Sequence, residues 1–494
     1  MQSQHCAQDP ALLSVLTSVP APSGCRAKVK YAFASRTVQK CLHRQPVPRH
    51  GHMCCSASST TLATCSGDKQ NKSFADQDIF LIAGAGIAGL AMAAALIKVG
   101  VPCKVLERDP GPRKGGSAIG LWPNAFRALD ALGVADSLRQ KHPLISRQVV
   151  ELCTDDGNTL KAFSLDECQG APHEFRGVKR STLLEALQSI VPESCIEYNA
   201  AIHSVETDQN GAIVHLENGK KLRARCVIGA DGANSRVARA LSVSKPNYAG
   251  YTAYRLAANL NTAYIPARGV ATMPNGLPIP GDTVRQTWGK GVRSGMYPIS
   301  DTELYWFTVF NAPEDSAFVA VEDRQSDALK FLPGWKGGIY EAVQSTSPDN
   351  ISRSKLTDRW PPIGKGFSKG AVTLAGDAAH PMTPNLGQGG CTALEDAVIL
   401  ARKMNALLHP SQAKGERQHS LRSVATSDLI QVLREYENER KSRTRLITVR
   451  SNLMGQALQI PFAPVCSLRN FVVRNIYSPR HFLDHANYDC GQLT

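Results

Sequence analysis

The body of the chain contains no C-x-x-C pair. Of its fourteen cysteines six precede residue 66, and the other eight (Cys103, Cys153, Cys168, Cys195, Cys226, Cys391, Cys466 and Cys490) are scattered. Such spacing suggests neither a zinc site nor a disulfide framework; it reads as small buried residues in a reducing compartment, Cys391 included. Acids are nearly missing from the first 75 residues, where Asp9 and Asp68 stand against nine Lys and Arg. That stretch is rich in Ser, Thr and Cys ("CCSASSTTLATCS"), and its apolar run "ALLSVLTSV" has no basic residue before it. A secretory signal is therefore not indicated. Residues 1–75 are expected to be a transit leader for a plastid, or with less support a mitochondrion, a plain disordered extension being the alternative. Also lacking is any stripe of Lys and Arg interleaved with aromatics, so the formal charge of +14 does not point to nucleic acid.

What is present is a body long enough for two or three domains, with an ordinary 43% hydrophobic content in the whole chain of 494 residues. Residues 79–97, "IFLIAGAGIAGLAMAAALI", carry no charge and are long enough for a membrane span. Their internal order argues otherwise. "IFLIA" suits a buried parallel strand, Gly84, Gly86 and Gly89 then form G-x-G-x-x-G at the turn into an Ala-rich helix, and "PCKVLERD" supplies a second strand ending in Glu107. This is the βαβ dinucleotide fingerprint in its proper context. Gly84 allows the tight turn, Gly86 admits a pyrophosphate to the backbone, and Gly89 lets the helix pack closely. Helix N-terminal N–H groups would hold phosphate, and Glu107 would accept from the adenosine ribose.

Two further glycine turns follow. "RARCVIGADGANSRVARAL" runs strand, Asp231-Gly232 turn, helix, after a stretch divided by Asn210-Gly211 and Asn218-Gly219 that reads as a β-meander. "AGDAAHPMTPNLGQGG", residues 375–390, places Asp377 at a strand end, and Gly387, Gly389 and Gly390 before a helix starting near Cys391. For three residues a second reading stays open: Asp377 as a helix cap, Asp231 as a turn former, and His380 as a packed loop histidine.

These three motifs in this order resemble those of the class A flavoprotein monooxygenases, the single-component aromatic hydroxylases, from about residue 77 onward. "GLWPNAFRALDALGV", "VKRSTLLEAL", "GVRSGMYPI" and "PMTPNLGQGGCTALEDAVIL" are similar to that family too. Within it the chain is most similar to the plant and algal subgroup that includes zeaxanthin epoxidase and urate hydroxylase-like proteins. The resemblance implies an α/β Rossmann-like FAD domain of the p-hydroxybenzoate hydroxylase type, with an inserted antiparallel-sheet substrate domain and C-terminal helices. It also implies tightly bound FAD, transient NAD(P)H and O2, with one oxygen atom passing through a flavin hydroperoxide to a small aromatic or lipophilic substrate.

By that resemblance the FAD contacts are Gly84, Gly86, Gly89, Glu107, Arg108, Arg180, Asp231, Asp377, Pro384, Gly387, Gly389 and Gly390. Asp377 would bond the ribityl chain, Pro384 would line the space over the reactive flavin carbon, and the helix after the glycines would face the pyrimidine edge. Tyr251, Tyr254, Arg255, Arg293 and Tyr297 are pocket candidates; no catalytic acid or base and no metal ligand is assigned. The expected division is FAD domain 77–245 and 351–410, substrate domain 246–350, and a linker with C-terminal helices 411–494. In the substrate domain, alternation in "DTVRQTWGKGVRSGMYPISDTELYWFTVF" predicts antiparallel strands with aromatics on one face. The basic helix "DLIQVLREYENERKSRTRLITVRSNLMGQAL" reads as a solvated face and leaves a peripheral membrane contact open. A halogenase, a reductase of the same superfamily and a non-catalytic FAD-binding protein are the rival readings; W-x-W-x-I-P, the halogenase mark, is absent.

Overall fold

The computed structural model describes residues 78–112, 117–142, 149–170, 173–248, 262–313, 319–353, 355–360, 366–409 and 421–493. The leader, Tyr251, Tyr254, Arg255 and most of the expected linker lie outside them.

Short β-branched runs bounded by glycine become a parallel sheet. It comprises β1 (Phe80–Ala83), β2 (Cys103–Leu106), β7 (Ile196–Glu197), β11 (Cys226–Gly229) and β19 (Val372–Leu374), in the order β19-β11-β1-β2-β7. All four pairings are parallel. Every residue of β1 is buried, as a strand covered on both faces requires. Helix α1 (Ile87–Lys98) crosses from β1 to β2 and is buried along ten of its twelve residues. The charge-free run is thus a strand and a core helix, and among the described residues no helix is long and apolar enough to cross a membrane. The Asn-Gly segments form the expected meander: β8 (Ile202–Asp208), β9 (Gly211–Leu216) and β10 (Lys221–Ala224) pair antiparallel.

A second sheet has seven strands, in the order Ser352–Arg353, Thr262–Thr272, Glu303–Pro313, Val292–Pro298, Thr283–Trp288, Val149–Thr154 and Thr159–Ser164. Its centre is β13 (Thr262–Thr272), β14 (Thr283–Trp288), β15 (Val292–Pro298) and β16 (Glu303–Pro313), antiparallel neighbours as the alternation predicts. Two expectations need correction. The sheet also takes β4 (Val149–Thr154), β5 (Thr159–Ser164) and β17 (Ser352–Arg353), which fall in the stretches expected to be FAD domain. The reason is that β4 pairs parallel with β14, a long-range contact with no local sequence signal. Aromatics also occupy both faces rather than one. Tyr297 and Tyr305 join the main core, whereas Trp306 and Phe310 pack with Met296 into a second core under the short helices Arg324–Leu329 and Ile339–Gln344. Both faces are covered, so both are apolar.

Four more helices matter to the site: α2 (Pro123–Leu132), Arg180–Gln188, α8 (Gly389–Leu408) and α9 (Thr426–Leu458). Helix α9 ties itself to the parallel sheet, with Tyr436 Oη donating to Leu374 O at 3.0 Å. The last helix, α10 (Ala463–Asn475), follows after four residues.

Candidate functional site

The first glycine turn sits where β1 ends. Gly84 has φ +96°, a left-handed conformation that a side chain would strain, and a methyl there would lie 2.9 Å from Ala230 O. Gly89 is needed for a different reason, because a side chain would overlap the carbonyl oxygen of Gly84. At Gly86 nothing lies within 4 Å of where a side chain would begin, so the bare backbone there faces open space. Gly86 is also the N-cap of α1, which has no side-chain cap and no acid in its first turn. The orphan N–H groups of that turn are therefore available to an anion. Glu107, 4% exposed, accepts from Ala85 N at 2.6 Å and from Asp109 N at 3.1 Å, which fixes its carboxylate beside the loop.

Asp231 Oδ2 accepts from Arg236 N at 2.7 Å, adding to the Ser235 side chain that caps the short helix Arg236–Ala240. Gly232 takes φ +80°. Arg108 lies on the surface, its side chain 70% exposed and 3.4 Å from Asp109. Arg180 opens the helix Arg180–Gln188, and its charge acts on Asp377.

The pivot of the site is Gly376. A methyl there would lie 2.8 Å from Cβ of Ala88, in the first turn of α1, and 3.4 Å from Cβ of Ala393, in α8. The N-terminal ends of two helices that start 302 residues apart (389 − 87) therefore converge on one glycine, and Asp377 is the next residue. Arg359 clamps this turn, donating to Ala378 O at 2.7 Å and Ala379 O at 3.3 Å and reaching Ser244 O at 2.6 Å. Asp377 is solvent-accessible although many protein atoms lie around its carboxylate. The surrounding protein raises its pKa; His380, Arg180, Arg268 and Arg359 oppose that rise.

Helix α8 begins at Gly389, two residues earlier than expected, and it too has no side-chain cap and no acid in its first turn. Its three glycines serve three purposes. Gly387 takes φ +63° and lies against Trp122, Gly390 leaves room for Ile119, and a methyl at Gly389 would lie 3.9 Å from both Asp377 Oδ1 and Met382 Cγ. Of the three, Gly389 alone would accept a methyl in ordinary van der Waals contact. Pro384, in the turn before it, is exposed. Cys391 is a buried thiol whose pKa is pushed up to about 12 by burial, which supports the packing reading over a reactive one.

A buried ionic network anchors α8. Arg440 is fully buried and donates to Glu395 Oε2 at 2.7 Å and Asp396 Oδ1 at 2.6 Å. Arg443 holds Glu395 Oε1 at 2.9 Å, and Asn124 donates both to Glu395 and, at 2.8 Å, to Gln388. Asp396 Oδ2 accepts from Gly376 N at 2.7 Å and lies 2.7 Å from His380 Nε2. His380 is thus held by a carboxylate, a positioning role nearer to the packed reading than to acid–base chemistry. Burial pushes both carboxyls up, but Arg440 with Arg443 brings Glu395 below its ordinary value, and His380 with Arg440 does the same for Asp396.

The roof is one face of the seven-stranded sheet. The register aligns Tyr297 with Tyr305, Gly295 with Phe307, and Phe307 with Arg268, so these side chains share a face with Arg293. Tyr297 and Tyr305 have ring centroids 4.9 Å apart, and Phe175 meets Tyr297 edge-on at 5.5 Å. Arg268 hydrogen-bonds Tyr305 and acts electrostatically on both Tyr297 and Asp377. Burial raises both phenols, keeping them neutral donors at physiological pH. Arg293 is buried, donates to Asn385 Oδ1, and lies 5.5 Å over the Phe307 ring.

Of the residues expected from sequence, Gly84, Gly86 and Glu107 gather at the first loop, Asp377 lies near Gly389 at the start of α8, and Gly376 joins the two groups through its contacts with Ala88 and Ala393. Arg180 acts on Asp377 by charge, Asp231 adjoins Gly84, and Arg108 sits outside on the surface. Arg268, Tyr305, Phe307, Arg359, Asn124 and Gln388 were missed. The alternation of β16 could have flagged Tyr305 and Phe307; no local pattern marks Arg268 or Arg359. The convergence of two uncapped helix starts suits an elongated dinucleotide. Asp231 Oδ1, His380 Nδ1 and Gln388 Nε2 are buried without a hydrogen-bond partner among the described residues.

Comparison with known proteins agrees with this geometry. The profile of the family described as "FAD binding domain" matches residues 78–423. Monooxygenase 1 of Arabidopsis thaliana is 32% identical over 424 residues, covering 84% of this chain and 98% of that protein. The chloroplastic zeaxanthin epoxidase of Solanum lycopersicum is 31% identical over 380 residues, covering 74% of this chain and 52% of that protein. Among solved structures, Klebsiella pneumoniae HpxO complexed with FAD and uric acid matches with TM-score 0.68 at 23% identity, covering 83% of this chain and 96% of that one. At that identity the likeness concerns the fold.

Proposed function

The chain belongs to the FAD-binding family of flavoprotein monooxygenases, and from that membership we propose that it uses NAD(P)H and O2 to hydroxylate or epoxidise a small aromatic or lipophilic compound held under the seven-stranded sheet. The observation that carries the reading is the convergence of α1 and α8 on Gly376 beside Asp377. One extended cofactor can then touch both glycine turns. The backbone at Gly86 and the first turn of α1 would hold the pyrophosphate, and Glu107 the adenosine ribose. Asp377 would accept from ribityl hydroxyls, with Arg180 beside it. Gly389 and the N-terminus of α8 would meet the pyrimidine edge, where the positive end of the helix favours negative charge by up to about 2 kcal/mol. When bound, FAD supplies the redox chemistry and O2 activation of the reaction.

The chain's own part is to orient the substrate and exclude water. Tyr297, Tyr305 and Phe307 offer aromatic walls for a planar ring, and neutral Tyr297 can donate to a ring oxygen. Arg268 and Arg293 supply positive charge on the same face, suited to an anionic oxygen on the substrate. The basic leader and the chloroplastic epoxidase relative support a plastid location.

The decisive experiment uses the purified full chain. NADPH or NADH oxidation coupled to O2 uptake is followed against a panel of phenols, N-heterocyclic rings and isoprenoid rings. At least one class is expected to stimulate turnover and to yield an oxygenated product by mass spectrometry. Tight FAD binding with no stimulated O2 uptake by any compound would refute the monooxygenase reading in favour of a non-catalytic flavoprotein.

A further inference from the structure

The outer face of α10 is apolar, and the cofactor site does not account for it. The helix packs inward through Cys466 and the partly buried Val473, and Arg469 donates to Leu458 O at 2.9 Å while lying 5.4 Å over Trp288. The opposite stripe, spaced i, i+4, i+7, is Pro464, Leu468 and Phe471, the last two 63% and 59% exposed. Phe462, Val465 and Ile476 are exposed as well. A surface helix ordinarily turns its polar residues outward, and an apolar patch of this kind marks an interaction surface.

Charge identifies the occupant. From Arg445 to Leu483 the chain has five arginines and no Asp or Glu. Arg445, Arg474 and Arg480 are exposed, and Arg474 stands one turn beyond Phe471. We propose that α10 is a docking element for an anionic lipid bilayer, lying in the interface with Leu468 and Phe471 among the acyl chains and Arg474 against the headgroups. The helix lies on the membrane rather than through it, since its thirteen residues are too few to span. A second copy of the chain fits less well, because a twofold contact would set this acid-free segment against itself. The proposal does not depend on the substrate reading.

The test sediments the full chain with vesicles of phosphatidylcholine alone or of equimolar phosphatidylcholine and phosphatidylglycerol. Binding to the anionic vesicles is expected, falling at least about tenfold in Leu468→Ser/Phe471→Ser and weakening with added salt. Both side chains are exposed, so circular dichroism of the variant should match that of the parent. The proposal is overturned if the parent does not bind anionic vesicles, or if the double variant binds equally well. It is also overturned if the parent is a dimer that the same two substitutions split, since the face would then belong to a second copy.

Discussion

Gly86 and Gly89 offer a sharp separation of folding from cofactor binding. Gly86 has φ −83° and ψ −172°, an extended conformation open to any residue, and nothing lies within 4 Å of where a side chain would begin. Gly86→Val should therefore fold. Replacing glycine where the backbone is compatible can even add about 0.4–1 kcal/mol by restricting the unfolded chain, so Tm should move by no more than roughly 2 °C. The same side chain occupies the space assigned to the pyrophosphate. Displacing a phosphate from two charge-assisted N–H bonds, at about 1.5–3 kcal/mol each, corresponds to roughly a hundredfold to ten-thousandfold weaker FAD binding. Gly89→Ala should behave in the opposite way. Its methyl overlaps the Gly84 carbonyl, so α1 must move off the loop at a cost above about 3 kcal/mol, and soluble protein should be scarce. The assay is the flavin-to-protein absorbance ratio after purification, with thermal unfolding of the flavin-stripped proteins. If Gly86→Val purifies with a full complement of flavin, or is as unstable as Gly89→Ala, the assignment of the loop is wrong.

Other consequences follow from the remaining side chains. Asp377→Ala removes a solvent-accessible carboxylate, and should weaken FAD binding by roughly 10–100-fold with little change in Tm, measured by titrating stripped protein with FAD. Arg440→Met strands the buried carboxylates of Glu395 and Asp396 and should cost about 3–5 kcal/mol in chemical denaturation. Both carboxyls are held below their ordinary pKa, so the native state binds fewer protons than the unfolded chain. Their contribution is therefore present above the ordinary carboxylate range and is lost as pH falls through the lowered values. Asp377 and Asp358, both raised, act in the opposite sense. A Glu395→Gln/Asp396→Asn variant should accordingly lose part of the acid dependence of the denaturation midpoint, and an unchanged profile would exclude this network as its source. Arg268→Met should raise KM for a ring substrate bearing a negative charge by about tenfold or more while sparing a neutral analogue, and equal effects on both would remove Arg268 from substrate recognition.

The dinucleotide loop was readable because its demands are local. A positive φ at Gly84 and a close approach at Gly89 require glycine, the expected phosphate contact asks for a third at Gly86, and the succession of β1 and α1 gives their setting. Asp377 was readable for the same reason, as the residue at a strand end before a glycine-rich helix start. The seven-stranded sheet was only half readable. Period-two alternation in β15 and β16 divides the side chains into two sets, yet both sets are apolar because both faces are covered. Nothing local says that Tyr305 faces the site and Trp306 faces away. Arg268 and Arg359 carry no motif at all, and Asp396 in "ALEDAV" looks like an ordinary helix charge until Arg440 arrives from 44 residues away.

The order of glycines and acids along the chain by itself determined the glycine turns and the helices that start from them, since backbone conformation and helix initiation are short-range effects. Only the tertiary structure decided where those segments meet, which face of the roof looks inward and which outer helix face stays apolar. Each of these depends on burial between residues distant in sequence, and burial is a property of the packed whole.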